Sequence, residues 1–297
     1  MSALSLLSFI ANHPLNRGRK MEALLRAIRW QLASRLVSGD VVHEWINGSK
    51  FLVRCGETGL TGNIYVGLQE FSDMAFLLHM LRPDDLFVDV GANVGSYTIL
   101  ACAAVGARGC SIEPVPATFH RLVENVRLNH LESSVDCFNV GISSAPGNLR
   151  FSSDMDVGNR ALVKDEQRAG DIEVPATTLD ALLAGRSPRL IKIDVEGYES
   201  AALAGAGTTL RNPDLHAVIM EVNGSGEKYG FVESKLFEVM DGFGFAAFSY
   251  VPAERELVEA SRPGAVPTDN KIFVRNVEVV RELLREARSF SVNGKRF

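Results

Sequence analysis

The sequence contains little cysteine, and none of it is spaced as a metal site requires. Only four of the 297 residues are cysteine, and no two of them form a CxxC pair. Six histidines are present, without an HxxxH or HxH pair. Structural zinc sites and redox-active dithiols therefore have no support. The pattern favours free, buried thiols in a reducing cytoplasm.

Long apolar runs and an excess of positive charge are absent as well. No apolar stretch approaches the roughly 18 residues that a membrane-spanning helix needs. The apolar segment at residues 3–11 has no basic residue before it, so we expect no secretory signal. The formal net charge is -5, which argues against a protein whose whole surface binds nucleic acid. With 46% hydrophobic and 23% charged residues, the composition is that of an ordinary globular protein.

Charge is distributed unevenly along the chain. Residues 1–36 contain six basic residues and one acid, Glu22, for a net charge of +5, and the rest of the chain carries -10. One hypothesis for this arm is a helix packed on the protein with its charges in solvent. The other is contact with an anionic membrane surface or with a lipid-linked or phosphorylated acceptor. The basic residues of the arm are Arg17, Arg19, Lys20, Arg26, Arg29 and Arg35.

The first 81 residues show helix and hairpin patterns. Residues 19–36 predict an amphipathic helix. Strand-like runs at residues 41–46 and 51–54 flank Asn47-Gly48, which suits a type I′ hairpin turn. A glycine-rich bend through Gly56, Gly59 and Gly62 precedes a predicted helix at residues 71–81. We interpret residues 1–67 as an extension that serves as a lid or a homodimer contact. The apolar positions of its helix are Leu24, Leu25, Ile28, Leu32 and Leu36.

From residue 86 onward, short apolar runs alternate with helical stretches. This alternation predicts a parallel sheet covered on both faces, an α/β fold. Residues 149–175 predict short β segments around a mobile polar middle at residues 154–158. We assign residues 68–276 to this domain and residues 277–297 to a C-terminal helical segment. The predicted strands are residues 87–90, 110–113, 135–140, 190–195, 217–222, 245–250 and 271–275.

The segment after the first predicted strand reads DVGANVGSY, at residues 89–97. Glycines at a strand-to-helix junction let a ligand approach the backbone and the helix N–H groups. The spacing is Gly-x-x-x-Gly, not the Gly-x-Gly-x-x-Gly that fits a pyrophosphate. Because an acid at this turn opposes a diphosphate, we predict a cationic cofactor, S-adenosylmethionine; a purely structural turn is the alternative. The candidate contacts are Asp89, Gly91, Asn93, Gly95, Ser96 and Tyr97.

Glu113 follows the second predicted strand, where an acid can accept both hydroxyls of a ribose. Pro114 lies beside it. NAD would use the same feature, so the ribose contact alone does not select the cofactor. The end of the third predicted strand is where such a fold contacts an adenine edge, which makes Asn139 and Gly141 candidates.

The second chemistry-bearing segment is IKIDVEGYE, at residues 191–199. We expect Asp194 and Glu196 to project to one side by strand alternation. Clustered carboxylates raise each other's proton affinity, which suits one of them to be a general base. For Glu199, the alternative to a role in catalysis is a structural role at the start of a helix. We expect Lys192 to pair with an acid.

Four segments together closely resemble the FkbM family of S-adenosylmethionine-dependent methyltransferases, over about residues 70–274. The resemblance implies a Rossmann-like sheet of seven strands, mostly parallel with an antiparallel last strand, and O-methylation of a hydroxyl on a sugar, glycolipid or polyketide-type metabolite. It also implies that Glu113 holds the ribose and that Asp194 and Glu196 face the methyl group or substrate. The segments are DVGANVGSYTILA, IEPVPATFHRLVENVRLN, LIKIDVEGYE and IMEVN.

Several alternatives remain open. A divalent cation on Asp194, Glu221 and Asn223 is an alternative to a carboxylate base, because oxygen ligands suit magnesium. An NAD-dependent oxidoreductase and a cofactor-binding adaptor without activity are the other classes. His79, on an apolar helix, is expected to be a core residue. We expect a small-molecule or glycan hydroxyl acceptor and no nucleic-acid partner.

Overall fold

The protein is described here from a computed structural model. The structure describes residues 3–37, 39–54, 60–152, 160–163, 166, 170–260 and 269–297. The predicted bend at Gly56 and Gly59 and the predicted mobile middle at residues 154–158 lie outside these residues.

The helices lie before, between and after the strands. They are α1 Ala3–Asn12, α2 Lys20–Leu36, α3 Thr61–Val66, α4 Phe71–Met80, α5 Ser96–Ile99, α6 Pro116–Leu128, α7 Leu179–Leu183, α8 Glu199–Ala204, α9 Gly207–Arg211, α10 Glu233–Gly242 and α11 Val277–Glu286. A π-helical segment, Leu100–Val105, continues α5.

The strands are β1 Val41–Glu44, β2 Lys50–Val53, β3 Leu86–Val90, β4 Arg108–Ile112, β5 Val135–Phe138, β6 Gly141–Ile142, β7 Gly147–Phe151, β8 Ile172–Thr177, β9 Leu190–Ile193, β10 Ala217–Glu221, β11 Ala246–Val251, β12 Glu256–Glu259, β13 Asn270–Val274, β14 Ser291–Val292 and β15 Lys295–Arg296.

The central sheet has the strand order β12-β11-β13-β10-β9-β3-β4-β5. Strands β5, β4, β3, β9 and β10 pair in parallel, and β13 is antiparallel to both β10 and β11. All seven predicted strands are present, and the last is antiparallel, so the expected Rossmann-like α/β fold is confirmed. Strand β12 adds an eighth, which sequence analysis did not predict.

Alternate residues of the buried strands face two hydrophobic layers, because side chains point to opposite faces in a strand. Phe87 and Leu190 pack with α4, α6 and α11 on one face. Val88 and Ile191 pack with α7, α8, α9 and α10 on the other. Each such fully buried side chain contributes about 1.5–3 kcal/mol, so the two layers fix the sheet from which the site is built.

The residues before the sheet share a core with the predicted cofactor turn. Ile10, Ala23 and Phe51 pack in one cluster with Val94 and Ile99. Sequence analysis assigned no helix to residues 3–12, where α1 lies, and it did not predict the short hairpin of β14 and β15. The division into residues 1–67, 68–276 and 277–297 stays a prediction.

Two local expectations for this region were wrong. Asn47 and Gly48 do adopt positive φ, 53° and 77°, but the connection runs from Trp45 to Ser49 rather than spanning two residues. Gly62 lies inside α3 and not in a bend. Burial of that helix outweighs the cost of about 1 kcal/mol that glycine brings to a helix.

Helix α2 confirms the predicted helix but packs through an unexpected face. Its buried side chains are the small residues Ala23, Ala27 and Ser34. The apolar positions Ile28 and Leu32, which amphipathic spacing would turn towards a core, are exposed.

Candidate active site

One cavity of about 710 Å³ opens at the carboxyl ends of the central strands. This is the edge where open α/β sheets bind ligands, and the volume is typical of ligand cavities. Gly95 and Asn139 do not line it in the described part of the chain. The predicted site residues that do are Asp89, Gly91, Asn93, Ser96, Tyr97, Glu113, Pro114, Gly141, Asp194 and Glu196.

The glycine turn after β3 packs directly on the segment after β9. Gly91 has φ +78°, and a Cβ there would lie 1.8 Å from the backbone oxygen of Asp194. Glycine is therefore required by both conformation and space. Gly95, with φ +94°, begins α5, and its Cβ would lie 2.7 Å from Leu122 Cδ1. Gly91 thus shapes the cavity, whereas Gly95 sets the packing of the following helix.

Asp89 ties the turn to its neighbours. The side chain is 1% exposed, and the Thr98 hydroxyl donates to its Oδ2 at 2.7 Å. Thr98 Oγ1 also lies 2.8 Å from Ser111 Oγ on β4. Burial raises the pKa of Asp89, although the positive charge of Lys192 acts to lower it. A carboxyl with these contacts holds β3, α5 and β4 together beneath the cavity.

Glu113 lines the cavity while both of its oxygens accept backbone hydrogen bonds. The N–H of Asn93 donates to Oε2 at 3.0 Å, and that of Val115 donates to Oε1 at 2.9 Å. Burial raises the pKa of Glu113 to about 7. Asn139 donates from Nδ2 to the carbonyl oxygens of Glu113 and Pro114, both at 2.8 Å. The predicted adenine contact, Asn139, thus braces the end of β4.

The acidic segment reaches the cavity through a turn. Strand β9 ends at Ile193, and Glu196 has φ +55°, the left-handed region that costs a non-glycine residue of order 1 kcal/mol or more. We expected strand alternation to bring Asp194 and Glu196 to one side. Both do lie at the cavity, but this turn places them there, so the reason that we expected was wrong. Glu199 stabilises the turn, because its Oε1 accepts the N–H groups of Val195 and Gly197 at 3.1 Å each.

Burial and neighbouring charges make Glu196 a stronger proton acceptor than an ordinary glutamate. Burial comes first in raising its pKa, and the carboxylate of Asp194 adds to it. The partly exposed Asp194 has a different environment, because Lys192 Nζ lies 2.6 Å from its Oδ2. The two acids therefore divide into one paired with a cation and one free to accept a proton.

Lys192 is the centre of a buried polar network. The side chain is 4% exposed, and its Nζ lies 4.7 Å from the ring centroid of Tyr97. The Tyr97 hydroxyl in turn donates to Glu70 Oε2 at 2.5 Å. Burial opposes the charge of Lys192, but Asp194, Glu70 and Asp89 outweigh burial and raise its pKa. The expected pairing of Lys192 with an acid is confirmed.

This network extends to a buried acid that no motif of the sequence marked. Asp73, on α4, is 2% exposed and accepts a hydrogen bond from Asn270 Nδ2 at 3.1 Å. Burial and the charge of Glu70 raise the pKa of Asp73 to about 7. An acid within an otherwise apolar helix was the signal that could have identified it.

Glu221, at the end of β10, also lines the cavity. Its Oε2 is buried, without a hydrogen-bond partner in the described part of the chain. Burial raises the pKa of Glu221 to about 9, with further contributions from Asp194, Glu196 and Glu199. Burial and the neighbouring acids thus favour the protonated form of Glu221, which carries a hydroxyl donor at the cavity.

The described residues do not assemble the trio considered for a metal ion. Asn223 is exposed, lies outside the main cavity, and accepts the Ser225 N–H through its Oδ1 at 2.9 Å. Within the described ranges, no group of three or more histidine, cysteine, aspartate or glutamate side chains is arranged for a metal.

The roof of the cavity comes from helices before the sheet. Leu6 and Phe9 of α1, Trp30 and Gln31 of α2 and Tyr65 of α3 line it. No motif marked these residues, because they become neighbours of the site only through packing.

None of the described histidines lines the cavity. His79 is buried, with Nδ1 2.6 Å from the Tyr250 hydroxyl, so the expected core role is confirmed.

The cavity is strongly acidic, which fits a cationic ligand better than a diphosphate. Its only described cations are Lys192 and Arg35. A bound cation lowers the pKa of neighbouring carboxyl groups and favours their charged form, and charges of one sign in a concave, partly dry site favour a ligand of the other sign. The sulfonium and ammonium groups of S-adenosylmethionine are cationic and therefore suit a cavity lined by carboxyl groups. The acids are Glu70, Asp89, Glu113, Asp194, Glu196 and Glu221.

Comparison with known proteins gives a family match over residues 89–246, to the methyltransferase FkbM domain. The chain is 28% identical over 150 residues to the hexuronic acid methyltransferase AglP of Haloferax volcanii, covering 50% of this chain and 59% of that protein. It is 28% identical over 110 residues to a tRNA(Phe) (4-demethylwyosine(37)-C(7)) aminocarboxypropyltransferase of Pyrococcus horikoshii, covering 35% and 40%. The chain thus spans less than two thirds of the length of either relative. A solved SAM-dependent methyltransferase from Agrobacterium tumefaciens is 12% identical, with a TM-score of 0.42, covering 80% of this chain and 70% of that chain.

Proposed function

The chain belongs to the FkbM family of methyltransferases, with S-adenosylmethionine as its cofactor, and from that premise we propose that it methylates a hydroxyl of a sugar, glycolipid or polyketide-type metabolite. The observation that carries the proposal is a shared cavity: Glu196 and Asp194 line the same space as the glycine turn at Gly91. Similarity to a hexuronic acid methyltransferase supports a sugar among these acceptors.

The cofactor would lie along the turn after β3. Because Gly91 has no side chain, the backbone of the turn can lie close to the cofactor. Asn93, Ser96 and Glu113 would hold the polar groups of the cofactor. When bound, the cofactor supplies a methyl group already activated by a sulfonium. What the protein must add is alignment of the acceptor oxygen and removal of its proton.

Glu196 is the proposed general base. Glu196 would accept the proton of the acceptor hydroxyl as that oxygen receives the methyl group that the bound cofactor would supply, and the cofactor would leave as a neutral thioether. Asp194, paired with Lys192, would orient the acceptor and add negative charge near the sulfonium. Glu221, whose pKa is raised by burial and by the neighbouring acids, would donate a hydrogen bond from its protonated form to another acceptor oxygen. Phe9 and Trp30 line the cavity as well, and their apolar side chains would help to exclude water from the reaction.

Calorimetry with S-adenosylmethionine and NAD tests the cofactor, and a panel of sugars including hexuronic acids, read by transfer of a labelled methyl group, tests the acceptor. Preference for NAD would overturn the proposal in favour of the oxidoreductase alternative. Binding of S-adenosylmethionine without transfer to any hydroxyl compound would favour the adaptor. A loss of transfer on chelation would favour the metal alternative, in which a cation replaces the base.

The base assignment is tested with Glu196→Gln. We expect kcat to fall by about 10²- to 10⁴-fold, the usual contribution of a general base, while affinity for the cofactor is retained. Because the base must be deprotonated and its pKa is raised, wild-type kcat should fall as the pH drops through that raised pKa. The control is Glu282→Gln, an exposed acid on α11. Full turnover by both Glu196→Gln and Asp194→Asn would contradict a carboxylate base.

A further inference from the structure

Helix α2 exposes a continuous apolar stripe. The positions recur at intervals of four and three residues, which places them on one face of a helix. Large apolar side chains exposed in such a row mark an interaction surface, unlike single exposed residues. The stripe consists of Met21, 69% exposed, Leu25, 46%, Ile28, 50%, Leu32, 63%, and Leu36, 86%.

The opposite face of α2 is already used for packing. Ala23, Ala27 and Ser34 are buried there, so the stripe is not a core face left open by loose docking. Helix α1, which packs on α2, exposes two further leucines: Leu4 is 80% and Leu7 45% exposed. The two helices thus present apolar side chains to solvent while anchored to the protein by other faces.

Basic side chains flank the stripe. By helical position, Arg29 lies along one side of it and Arg35 along the other. Lys20 is the first residue of α2 and directly precedes Met21, the first residue of the stripe. In the described part of the chain, neither Arg29 nor Lys20 forms an ion pair. Arg26 differs, because its guanidinium donates to the carbonyl oxygens of Ile64 and Tyr65 and is fixed within the protein. The charge beside the stripe is therefore available to an external anion.

We propose that α2 lies on the surface of an anionic lipid bilayer, with the stripe inserted at the boundary between headgroups and acyl chains. A helix with an apolar face and basic flanks binds membranes in this way. None of the described helices is long and apolar enough to cross a bilayer, so the contact is along the surface. A second copy of the chain fits less well. Two-fold pairing of the stripes would bring the basic side chains that flank them, Arg29 and Arg35, close to those of the other copy, and these like charges would repel each other.

In this orientation α2 lies between the lipid surface and the cavity, and the two are separated by one helix diameter, roughly 10 Å. Trp30, Gln31, Ser34 and Arg35 of α2 line the cavity, while Leu25, Ile28 and Leu32 do not. A lipid-anchored acceptor would then lie near the cavity; that consequence rests on the proposed function, whereas the docking itself does not.

The test is co-sedimentation of the full chain with vesicles of phosphatidylcholine alone or with about 30% phosphatidylglycerol. We expect binding to the anionic vesicles, weakened by salt because the attraction is partly electrostatic. Combining Leu25→Gln, Ile28→Gln and Leu32→Gln should lower the partition coefficient about 100-fold, since three large apolar side chains no longer leave water. Combining Lys20→Gln and Arg29→Gln should lower it by roughly 5-fold per charge on anionic vesicles only.

The matched control replaces exposed valines of similar accessibility on other elements, Val232, Val239 and Val279, by glutamine and should bind as wild type. Equal binding by the stripe variant and this control would overturn the proposal, as would absence of wild-type binding. A dimer in light scattering that becomes monomeric in the stripe variant would assign the surface to a second copy instead. Cofactor affinity, measured by calorimetry on the same variants, separates a failure of docking from a failure of the proposed reaction.

Discussion

Replacing Lys192 by methionine removes a buried ammonium while keeping the length of the side chain. Its Nζ lies 2.6 Å from Asp194 Oδ2, and Glu70 and Asp89 also stabilise its charge. Lys192 stands in the middle of β9, paired with β3 and β10 on either side. The substitution therefore changes electrostatics without adding volume.

The expected cost follows from the charges left behind. A pair of unit charges about 4 Å apart is worth roughly 4 kcal/mol at the effective dielectric of proteins, and removing one partner of a buried pair typically costs about 3–5 kcal/mol. We expect a loss of about 3–4 kcal/mol for Lys192→Met. Adding Asp194→Asn should recover about 1–2 kcal/mol, because one uncompensated carboxylate is removed and coupled sites are not additive.

The pH dependence has a definite sign. The raised pKa of Lys192 means that its own stabilisation is fully present below the unfolded value and constant between about pH 5 and pH 8. The acids Glu70, Asp73 and Asp89 have raised pKa values, which rise further without the ammonium. Their ionisation destabilises the variant, so its deficit should be larger at pH 8 than at pH 5.

Urea unfolding at the two pH values measures this, with a shift of the midpoint of roughly 1–2 M at pH 8 for the slopes usual in urea. A loss below about 1 kcal/mol would refute the reasoning, because a buried, paired charge cannot be removed so cheaply. The same loss at pH 5 and pH 8 would show that the remaining carboxyls do not respond to Lys192.

Two further substitutions test the turn and the buried acid. Gly91→Ala places a Cβ 1.8 Å from the Asp194 backbone oxygen at φ +78°, so we expect a loss of about 3 kcal/mol or more in urea unfolding together with weaker cofactor binding in calorimetry; Gly242→Ala, with open space and ordinary φ, should be neutral or stabilising by up to about 1 kcal/mol. The pKa of Glu221 is raised to about 9, so wild-type stability is lost by about 1.4 kcal/mol per pH unit as pH rises from the unfolded value through that range. Relative to wild type, Glu221→Gln should therefore gain up to about 4 kcal/mol more at pH 8 than at pH 5; equal midpoints of variant and wild type at pH 8 would contradict the raised pKa.

The central sheet was predictable because each strand carries a local signal. A short apolar run bounded by turn residues identifies a buried strand wherever it lies, and all seven predicted strands were found. Strand β12, at the sheet edge, lacks such a run: only Leu257 of its four residues is buried, and Glu256 and Glu259 are exposed. It forms through its pairing with β11, which sequence pattern does not reveal.

The candidate site was predictable where chemistry lies next to a strand end, as at Gly91, Glu113 and Asp194. Glu196 was identified for a reason that was incomplete, since a left-handed turn and not strand alternation brings it to the cavity. The roof residues Phe9 and Trp30 had no recognisable signal, because they are distant in sequence from every motif.

The sequence by itself determined the type and order of the elements, the glycine turn and the acids at the strand ends, because periodicity and turn chemistry are properties of neighbouring residues. Tertiary structure alone decided which charges meet and which face of a helix is exposed. Glu70, Tyr97 and Lys192 become one network only when α4, α5 and β9 pack together, and their pKa values depend on that burial. Likewise, α2 has apolar and small-residue faces in its sequence, but packing through Ala23 and Ala27 is what turned its apolar stripe to the outside.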